Sequence, residues 1–185
     1  MSRIALVTPS AAEGKAARLL EQIHGAFGAT PNMFRAVANS PAALQSMWSA
    51  FGALGGGTLG ARLGEQIAVA IADRNGCEYC LAAHTALGRK AGVGADDMAA
   101  AQAGRSGDPK TAAALAFALA IVERRAHIGE ADVQAVRDAG FDDAQIVEIM
   151  AHVALNLFTN YVNVAFAVPV DFPGVKLNTR GVNAK

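Results

Sequence analysis

Two cysteines and a histidine lie within ten residues of this chain, in the segment NGCEYCLAAH at positions 75–84. Cys77 and Cys80 are the only cysteines of the sequence, and His84 follows Cys80 by four residues. Thiols at this spacing can bind a metal ion, form a structural disulfide, or exchange electrons through a disulfide that forms and is reduced again. The flanking sequence favours the third of these chemistries.

A zinc site is incomplete in this segment. Zinc usually takes four ligands, and a structural site combines one Cys-x-x-Cys pair with a second pair or with two histidines. Here Cys77, Cys80 and His84 lie together, and a fourth ligand would have to come from Glu65, another histidine or a second subunit. Half of a ligand set is a weak indication, so zinc binding is kept as the least favoured alternative.

The position of the cysteines at a helix start favours redox chemistry. The preceding residues, RNG, predict a turn that places Cys77 at or just before the first turn of a helix, with Cys80 within that turn. Free backbone N–H groups and the positive end of the helix dipole stabilise a thiolate there. Closing a disulfide requires the two Cβ atoms to approach from roughly 5–6 Å to about 4 Å, a distortion that an end turn tolerates.

Two further residues are candidates for proton transfer. His84 lies one helical turn after Cys80 on the same face, where it can exchange protons with that sulfur; the alternative is a structural histidine that a neighbour satisfies. Glu65 lies near the start of the preceding helix, flanked by apolar residues. The residues alone leave it open whether Glu65 is a helix-start charge or a site residue, because antiparallel packing would carry it toward the far end of the cysteine helix.

A second group of polar residues recurs every four positions in an otherwise apolar helix, and it consists of Glu148, His152, Asn156 and Asn160, with Thr159 and Asn163 beside them. Groups at this spacing share a slowly winding helix face, and polar groups on a buried face need partners. One interpretation is hydrogen bonding to helix ends or across a subunit interface. The other is that His152 and Asn156 line a substrate cavity opposite the thiols.

The elements that must position these residues are predicted to be helices throughout. Ser10 with Glu13 has the spacing of a capping box, and Ser40 with Pro41 predicts a second helix start. Further helices are predicted to begin near residues 60, 77, 95, 109, 130 and 143. No segment shows the alternation of a strand, which argues against a thioredoxin-like setting. We predict an all-α, single-domain helical bundle over residues 1–185.

Composition excludes several classes of partner. Sixteen basic and sixteen acidic residues cancel, which argues against a nucleic-acid binder. The N-terminus lacks the pattern of a secretory signal, and the longest apolar tract, 146–170, is interrupted by polar residues that a membrane span would have to hide. We therefore expect a cytoplasmic protein without membrane contact.

A charged fraction of 17% is low against about 25% for ordinary proteins, which favours a homo-oligomer.

The combined pattern resembles a known family. It is similar to the motif of the alkylhydroperoxidase D / carboxymuconolactone decarboxylase family, in its peroxidase-related branch, and consists of Glu65, eleven residues, the segment CEYC, three residues and His84. The upstream FGATPNMFRAVANSPAAL and the downstream NLFTNYVNVAFAVPVDFP extend the resemblance over about residues 25–173, leaving a tail at 174–185. The resemblance implies an all-helical, homo-oligomeric fold and the reduction of hydroperoxides by the cysteine pair, with no bound cofactor.

The resemblance also implies roles for individual residues. Cys80 would be the peroxidatic thiol, Cys77 the resolving thiol, and Glu65 with His84 a proton relay; the external reductant would be a lipoylated or thioredoxin-like dithiol. Tyr79 stands where the best-known relay of the family has a histidine, and tyrosine is a poor base near neutral pH. A shorter relay, weaker peroxidase activity or a different substrate would follow. Decarboxylase members lack the redox cysteine pair, which argues against that branch.

An alternative from another functional class is a redox sensor, or a disulfide-reductase module, without sustained peroxidase turnover. Such a module would use oxidation of Cys77 and Cys80 to change its assembly. Sustained peroxide consumption with excess dithiol would indicate the enzyme, and a single stoichiometric oxidation with altered oligomer size would indicate the sensor.

Overall fold

A computed structural model describes residues 1–178 and shows an all-helical chain, as the sequence predicts. Within this range there are nine α-helices, one short 3-10 helix at Pro9–Ala11 and no strand. The helices are α1 (Gly14–Phe27), α2 (Asn32–Val37), α3 (Pro41–Gly55), α4 (Gly60–Arg74), α5 (Glu78–Lys90), α6 (Ala95–Gln102), α7 (Pro109–Glu123), α8 (Glu130–Asp138) and α9 (Asp143–Ala165). Part of the predicted tail, residues 179–185, lies outside the described range.

Local capping explains where the helices begin. Ser40 Oγ accepts a hydrogen bond from the backbone N–H of Ala43 at 3.3 Å, and Pro41 takes the first helical position, as predicted. The predicted capping box of Ser10 with Glu13 is wrong. Pro9 starts a 3-10 turn that includes Ser10, and Glu13, not Ser10, is the N-cap residue of α1, whose first residue is Gly14. Ser10 therefore lies too far from the helix start to cap it.

Helix α4 is the centre of the fold and carries part of the candidate site. It packs against α5, α6, α7 and α9, and its residues 66–73 are all buried. A helix buried on every side must be apolar around its whole circumference, which the run IAVAIA provides. The turn after α4 closes with the N–H of Cys77 donating to the carbonyl of Ala72 at 2.9 Å, and Gly76 supplies the left-handed residue at φ 65°. This turn fixes Cys77 at the start of α5.

The segment after α9 returns across the helices and is tied down at several points. The carboxylate of Asp171 accepts from the backbone N–H of Asn32 at 2.7 Å, and the N–H of Asn178 donates to Asp73 Oδ1 at 2.8 Å. Between these anchors Phe172 packs edge-on against Tyr79, with ring centroids 5.7 Å apart. Residues 166–178 therefore form part of the wall beside the cysteine helix.

Across residues 1–178, no helix combines the length and apolar character that crossing a bilayer requires.

Candidate functional site

The cysteine pair lies at the N-terminal end of α5. Cys77 is the N-cap residue, and its Sγ accepts a hydrogen bond from the backbone N–H of Cys80 at 3.2 Å. Both residues are free thiols, and each is at most 2% exposed. The cap positions the two sulfurs on the same side of the first turn, where only a small movement separates the dithiol from a disulfide.

Cys80 is held as the more acidic thiol. Burial by itself raises its pKa, but the hydrogen bond from the Cys77 thiol, the positive charge of His84 and the amides of Asn163 and Asn160 outweigh burial and lower the pKa of Cys80 to about 7. The Nδ2 of Asn163 donates to Cys80 Sγ at 3.2 Å. The same hydrogen bond to Cys80, together with burial, raises the pKa of Cys77. The pair therefore divides into a Cys80 thiolate and a Cys77 thiol near neutral pH.

Glu65 and His84 form a buried ion pair beside Cys80. The carboxylate Oε2 of Glu65 lies 2.7 Å from Nδ1 of His84, with side-chain exposures of 21% and 11%. Burial alone would lower the pKa of His84, but the charge and hydrogen bond of Glu65 raise it above its ordinary value. The raised pKa favours the cationic form of His84, which can both stabilise a Cys80 thiolate and donate a proton.

Glu65 lies against α5 and reaches His84, a placement that the sequence left open. Its Oε2 is 2.7 Å from Nδ1 of His84. At Gly88, one turn beyond His84, a Cβ would stand 3.4 Å from Cβ of Glu65, which is an ordinary contact, and 2.6 Å from the side chain of Met98. The absence of a side chain at Gly88 therefore makes room for Met98 of α6.

Tyr79 does not take the place of a relay histidine in this arrangement. Its hydroxyl accepts a hydrogen bond from the backbone N–H of Met33 at 3.2 Å, and burial raises the pKa of the phenol further above neutrality. A buried phenol with a raised pKa does not act as a base at neutral pH. Tyr79 instead joins α5 to the start of α2 and forms part of a cavity wall.

Cys80 opens onto a narrow apolar cavity, which we call the apolar pocket. Cys80, His84 and Tyr79 line it at one side. The remaining walls are Phe27, Pro31, Met33, Phe34, Phe51, Ala83, Leu87, Thr159 and Phe172. An apolar cavity with one reactive sulfur and one cationic donor is suited to a small apolar molecule with a reactive polar group.

His152 and Asn156 lie on a different cavity, behind the Glu65–His84 pair. This relay cavity is lined by Glu65, His84, His152 and Asn156, by Gly55, Gly60 and Gly64, and by apolar residues of α3, α4 and α9. A Cβ at Gly64 would stand 3.1 Å from Cε1 of His152, so this glycine makes room for the imidazole. Burial lowers the pKa of His152, and the buried Oδ1 of Asn156 has no hydrogen-bond partner.

Cys77 opens onto a third cavity, which we call the valine cleft. It is lined by Gly76, Cys77, Glu78, Tyr79, Asn163, Val164, Ala167, Val168 and Val170. The two sulfurs therefore border separate openings, and His84 is shared between the apolar pocket and the relay cavity.

The polar face of α9 divides between structural and site roles. The carboxylate of Glu148 accepts from the backbone N–H groups of Thr58 and Leu59, at 2.8 and 3.1 Å, next to the start of α4, in line with the helix-end interpretation. Asn160 Oδ1 accepts from Asn75 Nδ2 at 3.0 Å. From the sequence, Asn163 was identified only as a neighbour of this face. Its contact with Cys80, 83 residues away in the chain, results from the packing of α9 on α5.

Among residues 1–178, no three His, Cys, Asp or Glu side chains are grouped to hold a metal ion.

Residues 41–120 match the model of the carboxymuconolactone decarboxylase family. The fold is similar to that of a peroxidase-related protein from Silicibacter sp. TM1040, with 26% identity, 91% of both chains covered and a TM-score of 0.79. It is also similar to a peroxidase-related protein with an alkylhydroperoxidase AhpD core from Ralstonia eutropha JMP134, with 26% identity, 92% of both chains covered and a TM-score of 0.81.

The debrominase Bmp8, solved with 2,3,4-tribromopyrrole, shares the fold at 21% identity and a TM-score of 0.76, over 92% of this chain and 94% of that chain. Curated proteins give no match to the sequence.

Proposed function

We propose that this chain is a thiol peroxidase of the alkylhydroperoxidase D-like / carboxymuconolactone decarboxylase family, a membership that the family-model match and the two peroxidase-related structural neighbours support, and that it reduces organic hydroperoxides through Cys80 and Cys77. The observation that carries the proposal is the unequal cysteine pair: a Cys80 thiolate lies beside the His84 cation, with the Cys77 thiol hydrogen-bonded to it. A nucleophile, a proton donor and a resolving thiol are the three groups that such a reaction needs.

In the first step the Cys80 thiolate attacks the terminal oxygen of a hydroperoxide, ROOH. The O–O bond breaks, Cys80 is oxidised to a sulfenic acid, and the alkoxide RO⁻ leaves. His84, held protonated by Glu65, donates a proton to the alkoxide, so that the product is the alcohol ROH. Protonation of the leaving group by a fixed cation lowers the barrier to O–O cleavage.

In the second step the Cys77 sulfur attacks the sulfenic sulfur of Cys80. A disulfide forms, and the hydroxyl group leaves as water with the proton of the Cys77 thiol. The N-cap position of Cys77 keeps the two sulfurs within one helical turn, so the pair can close without unfolding α5. An external dithiol then restores both thiols.

The walls of the apolar pocket indicate the substrate class. Five aromatic side chains, Phe27, Phe34, Phe51, Tyr79 and Phe172, surround the approach to Cys80. Burying an apolar R group against them contributes about 25 cal/mol per Å² of surface removed from water, whereas hydrogen peroxide gains nothing from this lining. An apolar alkyl or aryl hydroperoxide is therefore the preferred substrate.

The relay cavity supplies the route by which His84 is protonated again. His84 and Glu65 line it on one side, and His152 and Asn156 on the other. The lowered pKa of His152 keeps this imidazole neutral near pH 7, where it can accept or pass a proton. His152 and Asn156 are thus positioning residues for proton return and do not touch the hydroperoxide.

A homo-oligomer is part of the proposal. Helix α9 exposes large apolar side chains along one side, including Val147 at 67% and Phe158 at 37% exposure, beside an apolar groove shared with α3. Exposed apolar surface on this scale is stabilised when another molecule covers it, and a second copy of the chain is the occupant we propose.

The test is peroxide consumption by the two cysteine variants with cumene hydroperoxide and excess dithiothreitol. Cys80→Ser is expected to abolish turnover, and Cys77→Ser is expected to stop after one oxidation with a trapped Cys80 sulfenic acid, seen by mass spectrometry with a sulfenate-specific reagent. Unchanged consumption by Cys80→Ser would refute the assignment. A single stoichiometric oxidation of the unmodified protein, with altered oligomer size and no turnover, would indicate a redox sensor instead.

A further inference from the structure

The two sulfurs of the cysteine pair face different entrances. Cys80 lines the apolar pocket, whose other walls are mainly aromatic, and Cys77 lines the valine cleft at the end of α9. A peroxidase of this kind has two substrates, an oxidant and a reductant, that must reach the same pair in turn. Separate openings on the two sulfurs allow each substrate its own route.

Asn163 connects the valine cleft to Cys80. Its Nδ2 donates to Cys80 Sγ at 3.2 Å, and the residue also lines the cleft beside Cys77. The side chain is buried, with the residue 3% exposed, yet its Oδ1 has no hydrogen-bond partner. A buried acceptor without a partner costs free energy, and it is explained if a ligand donor satisfies it during the reaction. A thiol S–H arriving in the cleft is such a donor.

We propose that the reducing dithiol enters through the valine cleft and attacks Sγ of Cys77, while Asn163 holds the departing Cys80 sulfur. This inference rests on the proposed function, because it concerns the disulfide that peroxide reduction produces.

The reaction balances as a two-step thiol–disulfide exchange. A thiolate of the dithiol forms a bond to Cys77 Sγ, the Cys77–Cys80 bond breaks, and Cys80 leaves as a thiolate. The second thiol of the reductant then attacks the reductant sulfur that is bonded to Cys77. The bond between Cys77 and the reductant breaks, and Cys77 leaves as a thiol with the proton of the attacking thiol. The reductant is oxidised to a disulfide and the protein regains two thiols.

Leaving-group chemistry supports attack on Cys77. The group that departs faster is the one with the lower pKa, and three of the groups that lower the pKa of Cys80 do not depend on the Cys77 thiol: the charge of His84 and the hydrogen bonds of Asn163 and Asn160. Attack on Cys80 would have to expel the poorer leaving group. The hydrogen bond from Asn163 and the charge of His84 thus stabilise the sulfur that departs in the reductive step.

The lining of the valine cleft limits the reductant to a slender, apolar dithiol. Its aliphatic walls include Val164, Val168 and Val170, and Cys77 at their base is 1% exposed. A flat protein surface has little access to a residue that is 1% exposed, whereas a short alkyl chain can enter the cleft. Glu78 is the charged residue on this lining, and it disfavours anionic thiols such as glutathione.

The experiment isolates the reductive step. The full chain is oxidised quantitatively with diamide, the Cys77–Cys80 disulfide is verified by intact mass, and its reduction by dithiothreitol or butanedithiol is followed by stopped-flow tryptophan fluorescence or by quenched mass analysis. Val164, 48% exposed on the cleft, is replaced in Val164→Trp to obstruct the entrance. Ala165→Trp places the same side chain at the next exposed position of α9, which does not line the cleft.

Val164→Trp is expected to slow disulfide reduction by at least about tenfold while the oxidation of the reduced enzyme by cumene hydroperoxide changes less than about twofold. Ala165→Trp is expected to leave both steps unchanged. Circular dichroism and size-exclusion chromatography verify that the fold and assembly are intact. An unchanged reduction rate in Val164→Trp, or equal slowing of oxidation and reduction, overturns the proposal.

A second measurement identifies the sulfur that is attacked. Oxidised protein is treated with β-mercaptoethanol, quenched with acid, and the mixed disulfide is located by peptide mass spectrometry. An adduct on Cys77 is expected, and an adduct predominantly on Cys80 overturns the proposal. Because diamide forms the disulfide without a hydroperoxide, both measurements remain decisive even if the proposed peroxidase activity fails.

Discussion

The carboxylate of Glu65 lies 2.7 Å from Nδ1 of His84, although the two residues are 19 positions apart on different helices. This hydrogen bond occupies Nδ1 and leaves Nε2 for proton exchange. It also raises the pKa of His84, which favours the cationic imidazole, and that charge lowers the pKa of Cys80. The acidity of the cysteine and the charge of the histidine are therefore consequences of the same contact.

The pH dependence of the oxidation step should follow the Cys80 thiolate. With a pKa of about 7, Cys80 is a thiolate above that pH and a thiol below it, so the second-order rate constant with cumene hydroperoxide should fall as the pH drops through 7. Stopped-flow rates between pH 5 and 9 and the thiolate absorbance near 240 nm should give the same midpoint, to within about half a unit. A midpoint near the ordinary cysteine value would contradict the lowered pKa.

Glu65→Gln should move that midpoint upward. Without the carboxylate, burial lowers the pKa of His84, the imidazole is neutral at pH 7, and Cys80 loses a stabilising charge. Each unit by which the Cys80 pKa rises above the working pH costs about tenfold in thiolate concentration. Rates at pH 7 should fall accordingly and partly recover at pH 9. Glu21→Gln, on the exposed side of α1, is the matched control, and equal profiles for both variants would exclude the relay.

His152→Gln should distinguish a role of His152 in proton return from a role in a subunit interface. We expect slower turnover in an intact oligomer, with a larger solvent deuterium isotope effect. The reason is that the variant lacks the neutral imidazole of His152, which passes the proton back to His84. The apolar pocket is untouched, so KM for the hydroperoxide should stay the same. Dissociation of the oligomer, measured by size-exclusion chromatography with light scattering, would instead assign His152 to a subunit interface.

Tyr79→Phe should affect stability more than chemistry. The variant leaves the buried N–H of Met33 without its acceptor, which should lower the free energy of unfolding by about 1–3 kcal/mol. The pH midpoint of Cys80 should shift by less than about half a unit, because the hydroxyl bonds to α2 and not to the sulfur. Urea denaturation and the thiolate titration measure the two effects. Tyr161→Phe, at a side chain 60% exposed, is the control and should change neither.

The helices could be predicted from the sequence because the residues that start and end a helix lie next to it in the chain. Ser40 and Pro41 cap and start α3, and the turn RNG places Cys77 at the start of α5, as predicted. The exception is Ser10, where the spacing of a capping box was present but Pro9 starts a 3-10 turn and Glu13 is the N-cap residue of α1. A capping pattern specifies which side chains could bond, and the backbone angles decide whether they do.

The contacts around Cys80 could be predicted only in part, because they depend on packing between distant segments. His84 follows from its helical spacing to Cys80. The placement of Glu65 depends on how α4 packs against α5, which brings residues 19 positions apart into contact. The bond from Asn163 to Cys80 and that from Met33 to Tyr79 link residues 83 and 46 positions apart, and no local pattern encodes such pairings.

The returning segment after α9 is synthesised later than the cysteine helix whose pocket it completes. Phe172 forms a wall of the apolar pocket and packs on Tyr79, while Asp171 and Asn178 fasten the same segment to α2 and α4. During synthesis, the cysteine helix and the Glu65–His84 pair emerge from the ribosome long before Phe172 does. The nascent protein therefore exposes a reactive thiol before it acquires selectivity, because a segment that is translated well after Cys80 limits which oxidants can reach this sulfur.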